Sequence, residues 1–206
     1  SDVGIRLFEG KMIYQFSDSL LSPTYWCVSD EIRKELTRRE NYRQRKTSKN
    51  LTNFTPRIHV DDYRLVWRTI TNSIDRRTLI ATVLPPNVVL GNSLNYLWSS
   101  HFNTKHNDYV KLHSYEETLF LCGLFNSFVI DFVLRHRIGT NLNLFFVLEL
   151  PIPKFDKNDI LHKKIVINSA KLICTTAEFS NLRKQVDISD FVTDSDKRIT
   201  LQAQIN

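Results

Sequence analysis

The side chains most able to do chemistry in this sequence are basic ones, gathered in a single interval. Eight Lys and Arg residues lie at positions 33–49 against two acids, Glu35 and Glu40, which gives a local charge of +6. The formal net charge of the whole chain is also +6, so the basicity is a patch rather than a background. Such a patch, with Tyr42 and several amides inside it, is typical of a loop that contacts nucleic acid. The alternative is a solvated flexible loop.

Four further arginines could bind phosphate or could form ion pairs with Asp75 and the acids near it. They are Arg64, Arg68, Arg76 and Arg77. The adjacent acids Asp61 and Asp62 could bind a metal ion, but paired acids before a strand are usually turn residues.

A histidine-rich segment at residues 101–113 offers a different chemistry. His101, His106 and His113 lie there near two asparagines, and histidine with asparagine is how some nucleases hold a metal ion and a base. Only Asp108 is available to complete such a site. The alternative is a plain exposed polar loop.

Cofactor chemistry has no sequence support. The chain has only five glycines, none grouped, so the Gly-rich turn of a nucleotide or methyl-donor pocket is absent from the sequence. Its three cysteines are far apart and have no metal-ligand spacing, which predicts reduced thiols and a cytoplasmic protein. We therefore expect no cofactor in this chain.

The apolar content of 42% and charged content of 24% are those of a soluble globular protein, and 206 residues suffice for one good core. No signal peptide is evident, and no membrane partner is expected. The chain begins with Ser1, and its last helix stops after about two turns. These features predict a piece of a longer protein.

The element expected to organise the fold is an apolar segment at residues 118–134. Only Asn126, Ser127 and Asp131 interrupt it, so it predicts one buried central helix, too short to span a bilayer. Small or polar residues recur every four positions from Gly123, where another backbone could approach. Gly139 is expected to end the helix in the left-handed conformation.

A polar loop follows, with an apolar, strand-like run after it at residues 144–150. Asn141 and Asn143 lie in this loop, where they could cap the preceding helix or form a local turn. Alternatively, one of them could face DNA and pair in two places with an adenine edge.

The remaining pattern interleaves strands and helices. Strands are predicted at residues 11–16, 63–70 and 78–84, the last buried on both faces. Helices are predicted from Ser29, capped by Ser29 or Asp30, and from about residue 158 to residue 178. The fold class is therefore α/β or α+β, with a mixed sheet around the buried central helix.

Several segments, taken in order, resemble segments of a known protein family. They are LFEGKMIYQF (7–16), YRLVWR (63–68), RTLIA (77–81), GNSLNY (91–96), NSFVID (126–131), and GTNLN (139–143) continuing to LPIP (150–153). Together they resemble the TaqI-like C-terminal specificity domain of adenine-specific DNA methyltransferases in type II restriction-modification enzymes. The resemblance implies a single target-recognition domain at residues 1–156, with a helical extension at residues 157–206 that packs on it.

In that family, the catalytic motif and the S-adenosylmethionine site lie upstream in a separate methyltransferase domain. The resemblance therefore implies a non-catalytic DNA-recognition domain whose partners are double-stranded DNA and that upstream domain. Because LPIP followed by a helix is also similar to type I specificity subunits, a protein-docking module is the alternative, and an HNH-like nuclease is a remote one. The candidate DNA-binding residues are Arg38, Arg39, Arg43, Arg45, Lys46, Lys49, Arg64, Arg68, Arg76, Arg77, Lys105, Asn141 and Asn143.

Overall fold

The fold is mixed α/β, as predicted, in a computed structural model that describes residues 4–47 and 55–206. The strands in these ranges are β1 (Ile5–Phe8), β2 (Tyr25–Cys27), β3 (Arg64–Arg68), β4 (Ala81–Leu84), β5 (Val88–Leu90), β6 (Leu94–Tyr96), β7 (Ser100–Asn103) and β8 (Asp108–Lys111). The helices are α1 (Ser29–Thr47), α2 (Tyr115–Phe125), α3 (Phe128–Arg135), α4 (Leu144–Leu148), α5 (Ile160–Ile173), α6 (Ser180–Gln185) and α7 (Ser195–Ile205).

The described strands form three small sheets. One is mixed, in the order β2-β1-β5, with β1 antiparallel to β2 and parallel to β5. The second is antiparallel, in the order β4-β3-β6, and β7 pairs with β8 as a hairpin. The mixed sheet and the predicted strands around β3 and β4 are thus confirmed.

Strand β3 separates two apolar clusters because both of its faces are buried. Leu65 and Trp67 face a large core, where the Trp67 ring meets Phe125 of α2 edge-on at 5.8 Å between centroids. Val66 faces a smaller cluster with Phe8 and Met12. This position between two cores explains why Val66 is fully buried although it shares its face of the strand with Arg64 and Arg68.

The predicted single central helix is wrong, because the segment forms α2 and α3 with a bend of 60° between them. Ser127 caps α3 by accepting a hydrogen bond from the Ile130 amide at 3.3 Å. The Asn126 side chain turns away to bond the backbone of Ala81. Only α2 is centrally buried, whereas α3 exposes Phe128 and Phe132.

Helix α5 packs against α2 at Gly123, where the sequence predicts the close approach of another backbone. A Cβ on Gly123 would lie 2.5 Å from Ile165 Cγ2 and 2.8 Å from Ser169 Oγ of α5. Asp159 caps α5, as expected, but the helix ends at Ile173 rather than at residue 178. Helix α7 packs on α5 in turn, so residues 157–206 contribute side chains to the large core.

Other predictions of local structure are corrected. Residues 11–16 do not form a strand, because Gly10–Met12 is a 3-10 turn and β1 lies earlier in the chain. Residues 144–150 contain α4 instead of a strand, since a short apolar run suits either element and Asn143 has the conformation of a helix N-cap. Gly139 has no left-handed backbone conformation. Residues 101–111 of the histidine-rich segment belong to the β7–β8 hairpin rather than to a loop.

Candidate nucleic-acid interface

Most of the basic patch lies on one helix. Helix α1 covers 19 residues, about 28 Å at 1.5 Å per residue, so the prediction of a loop is wrong for residues 33–46. Its first main-chain bond runs from the Ile32 amide to the Val28 carbonyl at 3.0 Å, one residue before the predicted cap. Of the predicted cations, Lys49 lies outside the described residues.

Ion pairs within the helix explain why the charged run is helical. Glu35 accepts from Arg38 and from Arg39, both at 2.7 Å, at spacings of three and four residues. These contacts lower the pKa of Glu35 to about 2. Within the described chain, Lys34, Arg45 and Lys46 form no ion pair, so their charges are available to a partner.

One face of α1 points to solvent. It contains Asp30, Arg33, Lys34, Thr37, Arg38, Asn41, Tyr42 and Arg45, which follow one another at helical spacing. Tyr42 is 68% exposed on this face. The acids Asp30 and Glu31 occupy the first turn and the unpaired Arg45 and Lys46 the last, so the C-terminal half is the basic half.

The opposite face anchors α1 to the sheets. Glu40 is buried and accepts from Gln44 and from the Tyr109 hydroxyl of β8, both at 2.7 Å. Although burial opposes its charge, these hydrogen bonds and the Arg43 ion pair lower the pKa of Glu40. Arg43 also stacks on Trp98 at 4.1 Å. These contacts of the inner face fix the orientation of α1 and therefore of its outer face.

Three of the four predicted phosphate-binding arginines are held by contacts within the chain. Arg64 is 4% exposed and donates to the Val88 carbonyl. Arg68 donates to the Ile13 carbonyl, and Arg77 stacks on Phe128 at 3.9 Å. Arg76 is exposed. Asp75, the expected partner, instead accepts from the Asn72 amide at 2.9 Å.

The structure does not bring the predicted polar loop to α1. Asn141 forms an isolated β-bridge with Ile70, which follows the C-terminal end of β3. Arg64 lies at the other end of β3, beneath α1. Both Asn141 and Asn143 are exposed, and Asn143 occupies the N-cap position of α4 without a side-chain hydrogen bond. The side chain of Asn143 therefore does not cap α4. Lys105 is exposed in the turn between β7 and β8.

A second group of residues lies beneath α1 and has no signal in the sequence. His59, Arg57 and Ser99 are distant in sequence, but His59 Nδ1 lies 3.2 Å from Ser99 Oγ, and Arg57 pairs with Asp62. Isolated histidine and arginine residues carry no motif, so only the fold reveals that they share a cavity with Arg64.

An apolar surface covers two consecutive helices, α3 and α4. Its exposed members are Phe128, Val129, Phe132, Leu144, Phe145 and Leu148. The ends of the two helices are linked by Arg137 and Glu149, whose charged atoms lie 4.0 Å apart. We call these six residues the α3–α4 apolar surface.

Among residues 4–47 and 55–206, no group of three or more His, Cys, Asp or Glu side chains could hold a metal ion, and no single helix is long and apolar enough to cross a membrane. No protein-family model matches the sequence, and no curated protein matches it significantly.

Proposed function

We propose that this chain is the sequence-specific DNA-recognition domain of a restriction-modification adenine-N6 DNA methyltransferase, and that it is not catalytic by itself. The observation that carries the proposal is the outer face of α1, where an anchored helix presents the unpaired cations Lys34 and Arg45 and the amide of Asn41 to solvent. The ordered sequence segments described above support the choice of enzyme class. S-adenosylmethionine would bind in the methyltransferase domain that such enzymes carry upstream.

Helix α1 has the dimensions required for this role. The major groove of B-DNA is about 12 Å wide and accepts an α-helix of about 10 to 12 Å in diameter. Arg38, Arg45 and Lys46 would contact phosphates, while Asn41 would reach base edges. The acidic first turn would be repelled by phosphate, so the C-terminal half of the helix is the contact half.

The test is the salt dependence of binding to duplex DNA. Each phosphate contact contributes about 0.9 to the slope of log affinity against log salt, so replacing Arg38, Arg45 and Lys46 with alanine should flatten the slope by about 2.7. The matched control removes three exposed lysines from α5 and α7, Lys163, Lys164 and Lys197, and changes net charge equally. Fluorescence anisotropy measures both. Equal slopes in the two variants would contradict the proposed interface.

Absence of catalysis is tested separately. The purified chain with S-adenosylmethionine and a mixed-sequence duplex should incorporate no methyl group into adenine. Methylation by the chain alone would overturn its assignment as a recognition domain.

The α3–α4 apolar surface favours a second candidate, a protein-docking module of the same kind of enzyme. Exposed apolar patches rimmed by polar residues often mark protein interfaces. If docking is the role, Phe132→Ser with Leu148→Ser should abolish binding to the separately purified methyltransferase domain, measured by calorimetry, while DNA binding stays unchanged. Retained binding to that domain would exclude this surface as the docking site.

A further inference from the structure

A cavity of about 330 Å³ lies beneath α1, on the side opposite to the proposed DNA-contact face. Its walls come from the inner face of α1, the turn at residues 57–60, and strands β3, β5 and β6. The volume lies at the lower end of the range of small-molecule sites. The charged residues that line it are four arginines, Arg39, Arg43, Arg57 and Arg64, and one acid, Glu40.

Arg64 differs from the other three. Arg39, Arg43 and Arg57 pair with Glu35, Glu40 and Asp62, respectively. Arg64 is buried and forms no ion pair within the described chain, and its hydrogen-bond partner there is a carbonyl, that of Val88. Its Nε is buried with no hydrogen-bond partner. A buried guanidinium without a counter-charge is costly, and an anion bound in the cavity would remove that cost.

His59 supplies a second unsatisfied group in the same cavity. The Ser99 hydroxyl donates to Asp62 Oδ2 at 2.6 Å, so its oxygen accepts from His59 Nδ1 at 3.2 Å. Nδ1 therefore carries the hydrogen, and Nε2 carries a lone pair. Nε2 is buried with no partner. It would accept a hydrogen bond from a ligand hydroxyl.

We propose that this cavity binds a small phosphomonoester that also carries a hydroxyl group, of the size of a sugar phosphate. The phosphate would lie against Arg64, whose fork of N–H groups matches phosphate geometry, and Arg39 would close the site from α1. The hydroxyl would donate to His59 Nε2. Leu36 and Val88 supply apolar walls for the carbon skeleton. This site is separate from the DNA-contact face and does not depend on the proposed DNA recognition.

The test is calorimetric titration of the full chain with ribose 5-phosphate, inorganic phosphate and ribose. Saturable binding is expected for ribose 5-phosphate, weaker binding for phosphate and none for ribose. Lack of saturable heat with either phosphate at about 10 mM, well above a Kd of about 1 mM, would overturn the proposal. Equal binding of ribose and ribose 5-phosphate would also overturn it, because Arg64 would then have no role.

Arg39→Ala and Arg38→Ala form a matched pair. Both side chains are exposed and both bond Glu35, but only Arg39 lines the cavity. Loss of a charge-assisted contact should weaken ribose 5-phosphate binding about tenfold or more for Arg39→Ala and leave it unchanged for Arg38→Ala. Equal effects of the two substitutions would contradict the cavity as the site.

Two further variants separate the groups inside the cavity without depending on Arg64, whose replacement could unfold the chain. Leu36→Trp should fill the space and abolish binding of both phosphates. His59→Phe should weaken ribose 5-phosphate but not inorganic phosphate, because only the sugar carries the donor. An unchanged preference between the two ligands would refute the role of Nε2. Competitive displacement of ribose 5-phosphate by duplex DNA would assign the cavity to a DNA phosphate and overturn the small-molecule proposal.

Discussion

Replacing Asn126 with alanine should destabilise the fold more than its small side chain suggests. The residue is 2% exposed, and its amide behaves like a peptide group at the free edge of β4. Oδ1 accepts from the Ala81 amide at 3.1 Å, and Nδ2 donates to the Ala81 carbonyl at 2.9 Å and to the Cys122 carbonyl at 3.0 Å. One side chain thus joins the end of α2 to the second sheet.

The expected magnitude follows from which groups lose their partners. The Ala81 carbonyl keeps a hydrogen bond from the Phe16 amide at 3.1 Å, so the substitution leaves mainly the Ala81 N–H unsatisfied. A buried donor without a partner costs about 1 to 3 kcal/mol, and the lost contacts and small cavity add about 1 kcal/mol. The free energy of unfolding should therefore fall by about 2 to 4 kcal/mol.

Urea denaturation followed by circular dichroism measures this change. The midpoint should move to lower urea with an unchanged slope, since the folded state is otherwise the same. The matched control is Asn143→Ala, an exposed asparagine with no side-chain cap bond, for which we expect a change within about 0.5 kcal/mol. If Asn126→Ala costs less than about 1 kcal/mol, the amide does not carry the junction between α2 and β4.

Three other outcomes are expected. The double variant Asn141→Ala, Asn143→Ala should keep its melting temperature, because both side chains are exposed. A relaxed preference among DNA sites at one base pair, worth about 1 to 3 kcal/mol, would identify a residue that reads a base. An unchanged preference among DNA sites would give the loop a structural role only. Gly123→Val should lower stability by about 1 to 3 kcal/mol in urea titrations, because its Cβ would lie 2.5 Å from Ile165, and no loss would contradict the close approach of α5. Burial lowers the pKa of His59 from 6.5 to about 4, so on acidification the unfolded chain binds a proton before the folded chain does, and the free energy of unfolding should fall between about pH 6.5 and about pH 4. His59→Asn should remove about 1 to 2 kcal/mol of that loss at pH 5. An identical loss of stability in the variant and the native chain would refute the role of His59.

The sequence predicted the strands that have a regular apolar pattern. It missed the element boundaries that depend on the hydrogen bonds of a single side chain. Strand β3 was predictable from the alternation of Leu65 and Trp67 with Arg64, Val66 and Arg68, and β4 from an apolar run broken only by Thr82. The break between α2 and α3 was not, because an apolar run does not show that Ser127 will cap a new helix while Asn126 bonds a strand. Residues 33–46 did contain a helical signal, since Glu35 precedes Arg38 and Arg39 by three and four residues.

The helical form of the basic patch changes what its charges can do. In a loop, all of its cations could turn toward one partner, whereas a helix rotates each residue by about 100° and fixes the direction of each side chain. Arg38 and Arg39 are adjacent in sequence and share Glu35, but Arg38 lies on the outer face and Arg39 lines the cavity. One run of charge therefore serves two surfaces. Replacing either arginine with alanine removes one positive charge and one partner of Glu35. A difference between the two variants in DNA or phosphate binding must therefore come from the direction of the side chain rather than from its charge.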